Sequence, residues 1–267
     1  MGMEWMKGPC YVGYLEAETF MRTSGTADKV AVREEMGRLL PRLEAMTAEE
    51  IVRWALERYG RRLALASSFG AEDVVLIDMM MAVDRSARVV TLDTGRLPQE
   101  TYSVIDAVRD RYGLHTEVFF PKADDVEEMV SEKGLNLFYH SIENRKLCCA
   151  VRKLEPLGRA LSGLEAWMTG LRREQNVTRT IVGKVEWDED HQLVKLNPLA
   201  DWSWDDVWKY IRTHNVPYNA LHDRGFPSIG CAPCTRAIQP GEDLRAGRWW
   251  WEHPETKECG LHVKDVN

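Results

Sequence analysis

The feature that most limits what this chain can become is a series of short apolar runs separated by helical patterns. The runs are LALAS at 63–67, RVVTLD at 88–93, HTEVFF at 115–120 and AWMTG at 166–170. The intervening segments 72–84, 98–112 and 150–162 have the length of crossover helices, with Pro98 fitting a helix start. Strands that alternate with helices pair in parallel, because a parallel neighbour can be reached only through a crossover. The expectation is an α/β fold built on a doubly wound parallel sheet, and 267 residues suit one such domain with a decorated end.

Smaller signals fill in the frame. From Thr47, AEEIVRWALERYG spaces Ile51, Val52, Ala55 and Leu56 at helical intervals and stops at Gly60. LVKLNPL at 193–199 reads as an edge strand, with the acidic VEWDED before it completing a hairpin. From Asp201 the character changes, with an amphipathic helix in DWSWDDVWKYIRTHN and three consecutive tryptophans in RWWWE. The division expected is an N-terminal arm at 1–27, a nucleotide-binding core at 28–200 and a C-terminal appendage at 201–267.

Charge narrows the function. A formal net charge of −7 disfavours a wide grip on nucleic acid or an anionic membrane, which select a basic footprint. No apolar h-region follows a basic start, and no eighteen consecutive apolar residues occur, so a cytoplasmic address is expected. Any anion site must be local. In a doubly wound sheet it belongs at the carboxyl ends of the strands, where the loops after Ala66, Leu92 and Thr169 read SSFGAED, DTGRLP and GLRREQ.

Six cysteines in a reducing compartment suggest metal binding or catalysis rather than disulfides. Cys148 and Cys149 are adjacent, Cys231 and Cys234 form a C-x-x-C, and Cys10 and Cys259 stand alone. Four thiolates select zinc or an iron-sulfur cluster. Vicinal cysteines diverge, which suits separate irons of a cube better than one zinc ion. Buried spectator cysteines are the plainer alternative, but Gly230 and Pro233 punctuate Cys231–Cys234 like a tight metal turn. If 149–161 is helical, Arg152 and Lys153 share the cysteine-bearing face. Cys259 lies in KECGLH, eight residues from the end, where Lys257 and His262 favour its thiolate and Glu258 opposes it. Arg245 and Arg248 could clamp phosphate or sulfate oxygens, the alternative being an ordinary basic surface.

Taken together, SSFGAED, LDTGR, CC-x-x-R-K-x-x-P-L, TG-x-R-R, IGCAPCT and KECGLH resemble the assimilatory adenylyl-sulfate reductases of the sulfonucleotide reductase family, over about residues 48–263. The resemblance implies an adenine-nucleotide-binding domain of the PP-loop, HUP type with a C-terminal tail carrying the catalytic cysteine. It implies thiol-dependent reduction of adenylyl sulfate to sulfite and AMP, in sulfate assimilation toward cysteine. Cys259 matches the nucleophile that forms an S-sulfocysteine, which thioredoxin or a glutaredoxin-like donor cleaves. The two cysteine pairs match the ligands of a [4Fe-4S] cluster, and relatives lacking them prefer the 3′-phosphorylated nucleotide, so plain adenylyl sulfate is the expected substrate.

Residue by residue, Lys153 matches a lysine near cluster and substrate, Arg179 an arginine in the loop after TGLRREQ, Arg245 and Arg248 the pair contacting phosphosulfate, and His262 the tail histidine. Ser67, Ser68 and Gly70 resemble a modified phosphate loop, Asp93 and Arg96 of LDTGR would flank the nucleotide, and Gly170 belongs to TG-x-R-R. Phe69 replaces a serine of some members, the loop after Gln175 is slightly short, and the first 27 residues with Cys10 match nothing. Three rivals stand beside this reading: 3′-phosphoadenylyl-sulfate reduction, an ATP-pyrophosphatase-like thiolase, whose S-G-G-x-D-S loop SSFGAED lacks, and a metal-bearing interaction module without catalysis. Homo-oligomerisation is left open.

Overall fold

The computed structural model describes residues 25–175 and 182–253. Helices α1 (Gly25–Glu44) and α2 (Ala48–Tyr59) precede the sheet. α2 starts on a reciprocal cap, in which Thr47 Oγ1 accepts from the Glu50 N–H at 3.2 Å and the Glu50 carboxylate accepts from the Thr47 N–H at 2.8 Å. There follow β1 (Leu63–Ser67), α3 (Ala71–Val83), β2 (Arg88–Leu92), α4 (Gln99–Tyr112), β3 (Glu117–Phe119), α5 (Ala123–Lys133) and α6 (Ile142–Cys149). A π-helical turn, Ala150–Leu154, joins α6 to α7 (Glu155–Leu161), and β4 (Ala166–Met168), β5 (Val185–Asp188), β6 (Leu193–Leu196) and α8 (Trp204–His214) complete the order.

The six strands run β3-β2-β1-β4-β6-β5. All neighbours are parallel except β5 and β6, so the expected parallel α/β sheet is present. LVKL differs from the edge strand read in the sequence. It lies inside the sheet beside β4, and β5 takes the edge. Both β6 faces are covered, as its four buried residues show, whereas β5 is half-exposed. The hairpin is pinned because the Asp188 carboxylate receives Trp167 Nε1–H at 2.9 Å and faces His191 Nδ1 at 2.9 Å.

Strand alternation sends Leu63 and Leu65 to one face and Ala64 to the other. The first face packs with Met168 and Leu196 against α2, α3, α4 and α8, burying Ile51, Val75, Val104 and Ile211. The second packs with Val90 and Trp167 against Leu157 and Leu161 of α7. The crossover read at 150–162 is therefore longer and irregular, starting at Ile142 and passing through the π turn. Among the described residues no helix is long and apolar enough to cross a membrane.

Candidate active site

Strand order reverses on either side of β1, which opens a crevice above the carboxyl ends of β1, β2 and β4. A cleft of about 240 Å³ occupies it, lined by Ser67, Ser68 and Gly70 at the end of β1 and just beyond, Leu92 and Thr94 at the end of β2 and just beyond, Gly170 and Arg172 after β4, and Lys153, Arg245 and Arg248. The three loops read from the sequence thus meet at one place.

The loop after β1 turns sharply through Phe69, buried with φ 56°, whose N–H donates to Ser67 Oγ at 3.0 Å. The turn aims Ser68 at Asp73 in the first turn of α3. Asp73 Oδ2 accepts from Ser68 N–H at 2.6 Å and from Ser68 Oγ at 2.8 Å. Burial pushes the Asp73 pKa up to about 6, against the downward pull of these bonds. Gly170 lets the β4 loop close on this helix end, since a Cβ there would sit 2.6 Å from Asp73 Oδ1 and 2.8 Å from Glu72 Cβ. Glu72 accepts from Arg172 Nε and Gln175 Nε2, both at 2.9 Å.

On the opposite wall, Cys231–Cys234 is a closed turn. Cys234 N–H donates to the Cys231 carbonyl at 2.9 Å, as does Thr235 Oγ1 at 3.0 Å. Ala232 N–H reaches the Arg96 carbonyl at 2.8 Å, and Thr94 Oγ1 lies 3.2 Å from Cys231 Sγ, so the LDTGR segment braces the cysteine loop. Arg152 Nη1 donates to the Thr94 carbonyl at 2.7 Å. The Arg248 guanidinium lies on the backbone of Gly230, where a Cβ would come 2.6 Å from its Cζ, and Arg248 Nη1 donates to the Ile229 carbonyl at 3.2 Å.

Behind that wall a smaller cavity of about 20 Å³ is lined by Cys148, Cys149, Cys231 and Cys234, all free thiols. Among the described residues no three of them converge as ligands of a single ion do, yet all four border the same space. Arg96, Arg145, Arg152, Lys153 and Arg248 also line it, and among the described residues no carboxylate does. Burial raises the Cys148 pKa, and burial followed by the neighbouring Cys231 pushes Cys234 up to about 12. Glu252 pairs with Arg145, and thiolates holding an anionic metal cluster would sit among the remaining cations of this lining, so the donor set fits such a group. Two buried donors, Arg248 Nε and Trp249 Nε1, have no hydrogen-bond partner among the described residues and add to the fit.

The remaining sequence candidates divide. Lys153 borders both cavities. Asp93 is absent from the cleft lining, its carboxylate accepting from Gly95 N–H at 2.8 Å and Tyr102 OH at 3.0 Å. Arg96 lines the cysteine cavity, stacked 5.2 Å over Phe138. Arg179, Cys259, His262 and Cys10 lie outside the described residues. Sequence reasoning missed Glu72, Arg172, His222 and Trp249, all of which line the cleft. Glu72 and Arg172 sit inside quoted motifs, whereas His222 carries no local signal.

Residues 62–237 match the phosphoadenosine phosphosulfate reductase domain family. Adenosine 5′-phosphosulfate reductase of Allochromatium vinosum is 56% identical over 203 residues, covering 76% of this chain and 79% of that protein. The enzyme of the same name from Burkholderia cepacia is 49% identical over 241 residues, 90% of this chain and 94% of that one. A phosphoadenylyl-sulfate reductase structure from Candida auris, in a phosphate complex, superposes with a TM-score of 0.66 at 28% identity, covering 77% of this chain and 97% of that one.

Proposed function

The chain belongs to the sulfonucleotide reductase family, among its adenosine 5′-phosphosulfate reductases, and from that premise we propose how its residues divide the work of reducing adenylyl sulfate to sulfite and AMP. The observation that carries the proposal is a common wall: Lys153, Cys231, Arg248 and Trp249 border both the cleft and the four-cysteine cavity. The nucleotide occupies the cleft, its phosphosulfate against Lys153, Arg245 and Arg248.

Cys148, Cys149, Cys231 and Cys234 hold a [4Fe-4S] cluster, which when bound supplies fixed charge and rigidity beside the substrate. Lys153 and Arg248 then face the phosphosulfate from a wall that cannot shift. Together with Arg245 they offset repulsion between the incoming thiolate and the anionic substrate. Arg179 and His262 are assigned to substrate binding by resemblance.

The Cys259 thiolate attacks the sulfate sulfur. A sulfur–sulfur bond forms, the bridging sulfur–oxygen bond breaks, and its electron pair leaves with AMP, so no strong general acid is required. One thiolate of a dithiol donor, thioredoxin or a glutaredoxin-like protein, then attacks the Cys259 sulfur and releases sulfite with the electron pair of the broken bond. The donor's second thiol resolves the mixed disulfide, returning Cys259 as thiolate and leaving the donor oxidised by two electrons. Buried free thiols and a dithiol donor suit a reducing compartment, and the cytoplasm is the one proposed.

The test is to incubate the protein with adenylyl sulfate and no reductant and to map adducts by mass spectrometry. A sulfonate on Cys259 supports the reading, and its appearance on any other cysteine, or on none, refutes it.

A further inference from the structure

Exposed aromatic side chains collect at one place on this protein. Six large apolar side chains are exposed among the described residues. Val118 and Phe120 lie at or beside β3 and Tyr218 lies after α8, whereas Leu135, Tyr139 and Trp250 belong to the two segments that hold the cysteine turn. Tyr139 OH donates to the Pro233 carbonyl at 2.8 Å, and Trp249 N–H donates to the Cys234 carbonyl at 3.2 Å. The rings pack on one another: Tyr139 lies 4.5 Å from Trp251 and 6.1 Å from Trp250, the two indoles meet edge-on at 4.8 Å, and the buried Phe138 ring supports Tyr139 at 4.6 Å. Such a platform is ordered before anything binds, so a partner immobilises little in meeting it. Trp and Tyr are also the side chains that most often dominate the energy of protein contacts.

Leu135, Tyr139, Trp250 and Trp251 line neither the cleft nor the cysteine cavity, so neither site accounts for them. Their place in the chain does. Trp250 stands nine residues before Cys259, a span of at most about 30 Å of extended chain. A protein resting on the platform is therefore tethered within reach of that sulfur, which raises its effective concentration there. The segment that follows the platform, PETKECG at 254–260, has no large apolar side chain with which to cover the rings itself.

We infer that the platform of Tyr139, Trp250 and Trp251, with Leu135 beside it, is the docking surface for the dithiol donor, a small protein whose reactive thiol sits in an apolar rim. The rim rests on the rings while the thiol meets the tail. The inference rests on the reading that Cys259 carries the S-sulfonate: the donor thiolate bonds to the Cys259 sulfur, and sulfite leaves with the electron pair of the broken sulfur–sulfur bond.

The experiment uses the full-length holoprotein as wild type, Trp250→Ser and Leu135→Ser. Trp250 is 39% and Leu135 66% exposed, so neither truncation opens the core. Sulfite release from adenylyl sulfate is followed with reduced thioredoxin as donor and, in parallel, with dithiothreitol, a dithiol too small to use a docking surface. Both variants are expected to raise KM for thioredoxin roughly tenfold, leaving dithiothreitol-driven release and single-turnover sulfonation of Cys259 at wild-type rates. An unchanged KM for thioredoxin in both variants overturns the inference. Equal losses with dithiothreitol also overturn it, because the rings would then serve the tail or the cleft, and a smaller sedimenting mass in the variants would assign the platform to a second copy of this chain instead. A wild type that gains no sulfonate on Cys259 overturns the underlying function rather than the surface. Resonance shifts of isotope-labelled thioredoxin titrated with the protein then decide the surface alone: their loss with Trp250→Ser supports it, and their persistence refutes it.

Discussion

Arg145 grips Glu252 at two points, Nε to Oε1 at 2.9 Å and Nη2 to Oε2 at 2.8 Å, with side chains 1% and 4% exposed. Arg145 lies on the helix that carries Cys148 and Cys149, and Glu252 stands seven residues before Cys259. The pair fastens the last described stretch of chain to the cysteine helix. The Arg145 guanidinium also lies 4.9 Å from the Trp249 ring.

Removing either partner strands the other charge in a buried site. Glu252→Gln or Arg145→Met should therefore lower stability by about 3–5 kcal/mol, measured as a shift in the midpoint of urea unfolding. A change within experimental scatter would show that the two charges are solvated in solution.

The four-cysteine cavity can be tested by analysis of the inorganic content. Protein purified without oxygen should contain about four iron atoms per chain and a broad visible absorption. Cys231→Ser or Cys149→Ser should lose both. Colourless protein carrying one zinc ion would replace the cluster assignment with a mononuclear site.

Gly230 is the seat of Arg248. A methyl group there would displace the guanidinium, whose Cζ lies 2.6 Å from the Cβ position. One charged hydrogen bond contributes on the order of 1.5–3 kcal/mol, so Gly230→Ala should weaken AMP binding and kcat/KM by roughly 10- to 100-fold. Arg248→Ala should give a similar loss, and the double variant should add little to either one.

Asp73 predicts a pH dependence with a definite sign. Its pKa rises from 3.8 unfolded to about 6 folded, so between these values the folded protein holds the extra proton. That contribution is complete below pH 4 and is lost as pH climbs through about 6. Relative to Asp73→Asn, the wild type should lose about 3 kcal/mol across that window, read from unfolding midpoints at several pH values. Parallel pH profiles for the two proteins would contradict it.

Much of the frame was legible because core strands announce themselves. Leu63, Leu65, Val89 and Met168 are buried completely, and runs of that kind have few other uses. The helices α1 and α5 escaped notice for the opposite reason. Met129 is the one residue of α5 buried among those described, and Met36 and Leu43 are the buried apolar residues of α1, so little periodicity marks either. The cysteine motifs led directly to one cavity, because their spacing is itself chemical information. Arg172 and His222 were not legible. Their roles depend on Glu72, 100 residues earlier in the case of Arg172, and on tryptophans brought together only by folding. Asp93 also serves the turn after β2, where its carboxylate accepts from Gly95 N–H and Tyr102 OH, a use that only folding reveals.

The π turn Ala150–Leu154 reconciles two demands on one helical rod. Upstream, Cys148 and Cys149 border the inner cavity, while downstream Leu157 and Leu161 lie flat on the sheet. A regular α-helix advances about 100° per residue and would bind those two faces into a single fixed phase. One additional residue in the turn rotates the downstream half relative to the upstream half. Lengthening or shortening this stretch by a single codon would thus act like a key turned in a lock, swinging the sulfur-bearing half out of phase while every strand kept its place.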